Sequence, residues 1–184
     1  MVRVSIQTAD FDLSSEVALL RAQDKGVGAV CSFIGTVRDR NNAPTLPVSR
    51  GSLAPVGAAP SSGGPAAERD GERVLAMELE HYPGMTEKAI EAMIDEAFAR
   101  FRILGARVVH RVGPLQPLDQ IVLVAVSSAH RGQSFQACEF LMDYLKTQAP
   151  FWKKEQTPEG ARWVDARVSD DAALARWGIE ARNG

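Results

Sequence analysis

The chain has 184 residues, of which 45% are hydrophobic and 24% are charged, and its formal net charge is -2. This length allows one well-buried core, and the small net charge argues against general attraction to nucleic acid or to a membrane surface. The longest aliphatic run, residues 121–126, is far too short to span a bilayer, and the amino terminus lacks the apolar segment of a signal peptide. We therefore expect a cytoplasmic protein.

The first predicted elements form one half of a mixed fold. Residues 2–7 alternate as a half-buried strand does, residues 14–22 have helical periodicity, and residues 28–38 return to a strand pattern. Residues 42–72 then contain five of the ten prolines, five glycines and no aromatic residue. That composition cannot bury enough apolar surface, so we predict a mobile surface loop inside a single domain that spans residues 1–184.

After this loop, residues 74–81 read as a strand, and a turn leads into a helix that Gly105 is expected to end. The helix has apolar residues at helical spacing, which predicts one face packed against a sheet. These residues are Ile90, Met93, Ile94, Ala97, Phe98 and Phe101.

The rest of the chain is predicted to contain four strands and two helices. Strands 106–112 and 121–127 are expected to pair as a hairpin or as sheet neighbours. They are followed by helix 134–147, strands 151–155 and 162–166, and helix 170–177. The chain is therefore expected to be an α+β protein.

Two basic clusters indicate a binding site for an anion. Lys146, Lys153 and Lys154 surround an aromatic pair, although a charge run of this kind is also typical of a solvated face. His130 and Arg131 come just before a predicted helix, where unpaired N–H groups add partial positive charge. Phosphate or carboxylate is the ligand chemistry that such clusters favour.

Four segments carry a resemblance to a known family. They are FIGTVRDRN (33–41), LEHYPGMTEKAI (79–90), SSAHRGQSFQACEFLMDYLKTQAPFWKKE (127–155) and TPEGARWVDAR (157–167). In this order they resemble the large, catalytic subunit of molybdopterin synthase, except that the loop at 42–72 is longer than that family usually needs. The resemblance implies a single domain with an α/β hammerhead-like core plus a small antiparallel β subdomain.

The resemblance also implies a reaction and its partners. Two sulfurs are inserted into cyclic pyranopterin monophosphate to form the dithiolene of molybdopterin. The sulfur donor is a small ubiquitin-like subunit that ends in a Gly-Gly thiocarboxylate. The family's assembly is a homodimer of large subunits with one small subunit at each outer end, a heterotetramer. The large subunit has no cofactor of its own, since molybdenum arrives at a later step.

Carried over to this chain, the family's pocket implies two groups of residues. The predicted catalytic residues are Lys146 and Lys153, and the predicted substrate-binding residues are Phe33, Arg38, His130, Arg131, Met142 and Arg167. Guanidinium groups suit the phosphate, and His130 suits a second phosphate contact or a proton shuttle. Lys146 is expected to act as base or nucleophile, while Lys153 stabilises an oxyanion. An alternative is that both lysines only dock the partner's carboxyl terminus.

The position of Arg131 relative to Lys146 predicts a site shared between two chains. Fifteen residues of helix separate their backbones by roughly 22 Å, which a small pterin cannot easily bridge. The simplest solution is a two-fold dimer in which one protomer lends its His130–Arg131 end to the lysines of the other.

A rival function is a non-catalytic module that binds the tail of a ubiquitin-like protein. Such a module needs the two lysines but not His130 and Arg131. Weak binding of single-stranded nucleic acid is disfavoured by the acidic charge balance.

Other chemical residues are expected to be structural. No metal-ligand spacing is present, and Cys31 and Cys138, far apart among apolar neighbours, are expected to be buried, reduced thiols that carry no sulfur. His81 and His110 are predicted as structural histidines. The three tryptophans, Trp152, Trp163 and Trp177, are expected to pack in the core or at an interface.

Overall fold

A computed structural model of the protein describes residues 2–41, 72–164 and 176–178. The helices in these ranges are α1 (Leu13–Arg21), α2 (Met85–Arg100) and α3 (Arg131–Gln148). The strands are β1 (Val4–Gln7), β2 (Ala29–Thr36), β3 (Arg40–Asn41), β4 (Glu72–Arg73), β5 (Ala76–His81), β6 (Ile103–Arg111), β7 (Gly113–Leu115), β8 (Gln120–Ser128), β9 (Phe151–Thr157) and β10 (Gly160–Val164).

The larger of two four-stranded sheets has the order β1-β6-β8-β2. β1 runs parallel to β6, and the other neighbours are antiparallel. Successive residues of a strand point to opposite faces, so Val108 and Val124 join the core under α2 and α3, whereas Val109 and Leu123 join the core under α1. Helices therefore cover both faces of this sheet, and β2 forms one of its edges.

The second four-stranded sheet is antiparallel, with the order β10-β9-β5-β7. Its small core consists of Val37, Met77, Leu79 and Leu115. β9 and β10 form a hairpin in which Lys154 lies opposite Trp163. This sheet corresponds to the predicted antiparallel β subdomain, and the α+β class is confirmed.

The structure corrects two expectations about the second helix. α2 ends at Arg100 and not near Gly105, because Phe101 already has extended backbone angles while its N–H donates to the carbonyl of Ala97. Gly105 lies instead within β6, where a Cβ atom would come within 2.9 Å of a Leu20 methyl group. Phe98, predicted on the buried face, is 38% exposed.

The tryptophans do not behave alike. Trp152 and Trp163 are 48% and 55% exposed, so within this chain they do not pack in the core. Trp177 packs edge-on against Phe101 and Phe140, with ring centroids 5.9 and 5.5 Å apart. The interface alternative for Trp152 and Trp163 stays a prediction.

The two histidines that lie on strands, His110 and His81, have neighbours typical of structural residues. His110 stacks on Phe151 with ring centroids 3.8 Å apart, and its Nδ1 lies 2.9 Å from the carbonyl of Arg111. Burial lowers the pKa of His110 to about 4, so this side chain is neutral at physiological pH. His81 lies 3.8 Å from the carboxylate of Glu87.

Parts of three predictions lie outside the described residues. These parts are residues 42–71 of the predicted loop, residues 165–166 of the last predicted strand, and residues 170–175 of the predicted terminal helix. Glu72 belongs to β4, and residues 176–178 form a turn.

Candidate active site

A cavity of about 350 Å³ lies between the edge strand β2 and helix α3. Three residues predicted from the sequence line it together, namely Phe33, Met142 and Lys146. The other lining residues are Cys31, Ser32, Phe135, Cys138, Glu139 and Asp143. The cavity therefore combines an apolar wall with charged groups, the usual composition of a site for a small polar ligand.

Helical spacing explains how α3 contributes to this wall. Cys138, Met142 and Lys146 follow one another at intervals of four residues, so they lie along one side of the helix. Cys138 and Met142 are buried, whereas Lys146 is exposed. The stripe thus ends in an exposed lysine that lines the cavity, a group that suits an anionic or carbonyl-bearing ligand.

The acidic residues of the cavity were not predicted as site residues, although Glu139 and Asp143 also follow each other at helical spacing. Arg176 contacts both carboxylates, at 3.0 Å to Glu139 and 2.6 Å to Asp143. Asp143 also accepts a hydrogen bond of 2.8 Å from the indole N–H of Trp177. These contacts connect residues 176–178 to α3 and offset negative charge beside Lys146.

Lys153 lies on β9, and the cavity between β2 and α3 does not include it. Its ammonium group contacts the carboxylate of Glu155, which is completely buried, and Arg162 lies 3.8 Å from the same carboxylate. A contact with a buried carboxylate of this kind fixes the position of the lysine. The sequence analysis did not predict Glu155 as a candidate site residue. The two-residue spacing between Lys153 and Glu155 could have indicated it, because this spacing puts both side chains on one face of a strand.

Lys154, which the sequence grouped with Lys146 and Lys153, faces the other way. Strand alternation separates its side chain from that of Lys153, and its ammonium group lies 5.6 Å from the centre of the Trp163 ring. The anion site predicted from all three lysines is therefore wrong in this detail, since Lys154 belongs to the opposite face of β9.

His130 and Arg131 begin α3, with His130 at the N-cap position. Both side chains are exposed, the His130 side chain makes no capping hydrogen bond, and the first turn contains no acidic residue. Partial positive charge at this end is therefore not offset within the helix, as expected for an anion contact. The helix is continuous to Gln148, so the separation of roughly 22 Å from the backbone of Arg131 to that of Lys146 remains.

The structure thus brings together some of the predicted site residues and not others. Phe33, Met142 and Lys146 share the cavity, whereas Arg38, Lys153 and the His130–Arg131 pair do not line it within one chain. Arg38 is exposed just after β2, and Arg167 lies outside the described residues. The roles assigned to all of these side chains stay predictions.

The described part of the chain offers neither a metal site built from histidine, cysteine or carboxylate side chains nor a membrane-spanning helix. No group of three or more histidine, cysteine, aspartate or glutamate side chains is arranged there to hold a metal ion. None of the helices in those residues is long and apolar enough to cross a membrane.

Comparisons with known proteins point to one family. The family model described as MoaE protein matches residues 54–148. A molybdopterin synthase catalytic subunit from Ralstonia nicotianae is 55% identical over 183 residues, covering 100% of this chain and 88% of that relative.

Solved structures agree with this result. A molybdopterin biosynthesis MoaE protein from Burkholderia ambifaria superimposes with a TM-score of 0.72 at 53% identity, covering 98% of this chain and 100% of that one. Molybdopterin synthase from Staphylococcus aureus superimposes with a TM-score of 0.68 at 27% identity, covering 90% of this chain and 98% of that one. The chain therefore belongs to the MoaE family, in which its curated relatives are molybdopterin synthase catalytic subunits.

Proposed function

We propose that this chain is the catalytic subunit of a molybdopterin synthase. It transfers sulfur from the carboxyl-terminal thiocarboxylate of a small ubiquitin-like subunit to cyclic pyranopterin monophosphate, which forms the molybdopterin dithiolene. The observation that carries the proposal is the cavity in which Lys146, Phe33 and Met142 meet, in a chain that matches named catalytic subunits over its whole length. The cytoplasmic location predicted from the sequence is part of the same proposal.

In this proposal, the residues that line the cavity have different roles. Phe33 and Met142 offer apolar surface for the flat pterin, and the exposed Lys146 lines the same cavity. In this proposal Lys146 acts as the base or nucleophile of sulfur transfer. Water leaves the apolar wall when the pterin binds, which strengthens the electrostatic interactions within the cavity.

Lys153 has a different task in the proposal. Its contact with the buried carboxylate of Glu155 holds the ammonium group in place. A fixed positive charge can stabilise the oxyanion that forms when the thiocarboxylate is attacked. Because Glu155 is fully buried, it reaches the reaction only through Lys153, and we regard it as a positioning residue.

A complete site requires two copies of the chain in this proposal. The phosphate of the substrate is assigned to His130, Arg131 and Arg38, but α3 separates Arg131 from Lys146 by roughly 22 Å. A two-fold dimer would bring the His130–Arg131 end of one protomer to the lysines of its partner. One small subunit at each outer end then completes a heterotetramer.

The proposal is tested by reconstitution. The purified chain, a thiocarboxylated small subunit and cyclic pyranopterin monophosphate are combined, and molybdopterin is measured with time. We expect product only when all three are present, and Arg131→Ala is expected to lower its formation strongly. If the small subunit binds without any product, and binds Arg131→Ala as well as wild type, the tail-binding module is favoured instead.

A further inference from the structure

The two cysteines of the chain meet in the wall of the cavity. Cys31 is half-buried on β2, Cys138 is 4% exposed on α3, and neither forms a disulfide. Both line the cavity, Cys31 packs against the core cluster that contains Cys138, and the Cys138 thiol donates a hydrogen bond to the carbonyl of Val124 at 3.7 Å. The proposed sulfur transfer uses neither thiol, so the structure holds a pair of adjacent, oxidisable groups without an assigned role.

The fold allows these two sulfur atoms to approach further. A disulfide needs sulfurs about 2.05 Å apart on Cβ atoms roughly 3.5–4.5 Å apart, so partners must already be in contact. β2 is an edge strand that is paired on one side, by β8, in the described sheet. An edge strand has fewer constraints than a central one, and a small shift of β2 toward α3 shortens the distance between the thiols.

The surroundings also set the order of reaction. Burial, together with the neighbouring Cys31, raises the pKa of the Cys138 thiol well above its usual value, so this group stays protonated. Cys31 is the more accessible of the two, and an oxidant that enters the cavity reaches it first. Cys138 then lies next to any adduct on Cys31, as a resolving thiol must.

We propose that Cys31 and Cys138 form a reversible disulfide with a low-molecular-weight disulfide as the oxidant, and that this bond narrows the cavity. The Cys31 thiolate attacks one sulfur of the oxidant, which gives a mixed disulfide and releases one small thiol. The Cys138 thiol then attacks the Cys31 sulfur and passes its proton to the departing small sulfur, which leaves as the second small thiol. Two protein thiols are oxidised to one disulfide while the oxidant is reduced to two thiols.

The bond has a consequence for the site, and this part rests on the proposed function. Cys31 is two residues from Phe33, and Cys138 is one helical turn from Met142, so the disulfide draws together the two walls that hold these contacts. Closer walls leave less room for a pterin. Oxidation is therefore expected to lower turnover several-fold, and reduction is expected to restore it.

The disulfide itself is tested without any assay of turnover. The full chain is incubated with excess oxidised glutathione, then analysed by intact mass and by peptide mapping without reduction. We expect a mass about 2 Da lower, a peptide that joins Cys31 to Cys138, and full reversal by dithiothreitol. The Cys31→Ser variant is the matched control and should give no such peptide. Separate glutathione adducts on both cysteines, or unchanged thiols in the folded protein, would overturn the proposal.

The effect on the cavity is tested in the reconstituted reaction. Oxidised wild type should form product several-fold more slowly than the reduced protein, whereas the same treatment of Cys31→Ser should not slow it. Full turnover by a protein that carries the disulfide would overturn the narrowing of the cavity. If the reduced wild type forms no product, the proposed function fails, while the mass and peptide results still decide whether the disulfide forms.

Discussion

Replacing Lys153 with alanine should destabilise the protein as well as inactivate it, because its partner Glu155 cannot reach water. The Glu155 carboxylate is fully buried, and its cationic contacts among the described residues include Lys153 and the more distant Arg162, at 3.8 Å. Removing one partner of a buried ion pair costs about 3–5 kcal/mol. Arg162 remains after the substitution, and Lys153 is itself partly exposed, so we expect a loss of about 2–3 kcal/mol in the free energy of unfolding.

A second substitution separates the structural effect from the chemical one. In the double variant Lys153→Ala with Glu155→Gln, no uncompensated carboxylate stays buried, and at least about 1 kcal/mol of the lost stability should return. Sulfur transfer should not return, because the ammonium group proposed to stabilise the oxyanion is still missing.

Urea denaturation of the single and double variants measures these differences, with Lys88→Ala as the control. Lys88 is an exposed lysine of α2, and its loss should change stability by no more than about 0.5 kcal/mol. Two results would contradict this reasoning: Lys153→Ala as stable as Lys88→Ala, or a double variant no more stable than Lys153→Ala. Either would mean that the contact between Lys153 and Glu155 does not contribute the expected free energy of unfolding.

Three further predictions follow from other parts of the molecule. Folded Cys31→Ser and Cys138→Ser proteins should still convert the precursor when given thiocarboxylated partner, and loss of product in either would mean that the chain itself carries sulfur. Burial lowers the pKa of His110 from 6.5 to about 4, so the stability it provides is complete above pH 6.5 and is lost as the pH falls toward 4, by roughly 3 kcal/mol in all. Denaturation midpoints from pH 7.5 to 4.5 should therefore fall more steeply for wild type than for His110→Phe, and equal slopes would refute this. Mixing inactive Arg131→Ala with inactive Lys146→Ala should restore activity in up to about a quarter of the sites, whereas no recovery despite verified subunit exchange would argue for sites within single chains.

Local patterns predicted most of the fold. Periodicity and turn residues located α1, α3 and seven of the eight strands of the two four-stranded sheets to within a few residues, whereas β7 was not predicted. The prediction failed at the end of α2, where apolar spacing continued to Phe101 although the backbone had already turned into β6. Gly105 was interpreted as a helix stop, but its small size is required by the close approach of Leu20 from α1, a tertiary contact that no local pattern contains.

The candidate site was predictable where it depends on a single element. Met142 and Lys146 are one helical turn apart, so their common direction follows from the sequence, and Phe33 was added by resemblance to the family. The burial of Glu155 and the contacts of Arg176 with α3 depend on strand register and on residues distant along the chain. Such contacts could not be derived from spacing, and neither could the meeting of Cys31 with Cys138.

The most direct test of the account compares Lys146→Ala with Lys88→Ala in the reconstituted reaction. Both residues are exposed lysines on helices, but only Lys146 lines the cavity. With saturating thiocarboxylated partner, Lys146→Ala should form molybdopterin at least about 100-fold more slowly than wild type, because a group that transfers protons or attacks the substrate is lost. Lys88→Ala should match wild type, and both variants should stay folded and bind the partner. Near-normal product formation by folded Lys146→Ala would contradict the assignment of the active site to this cavity.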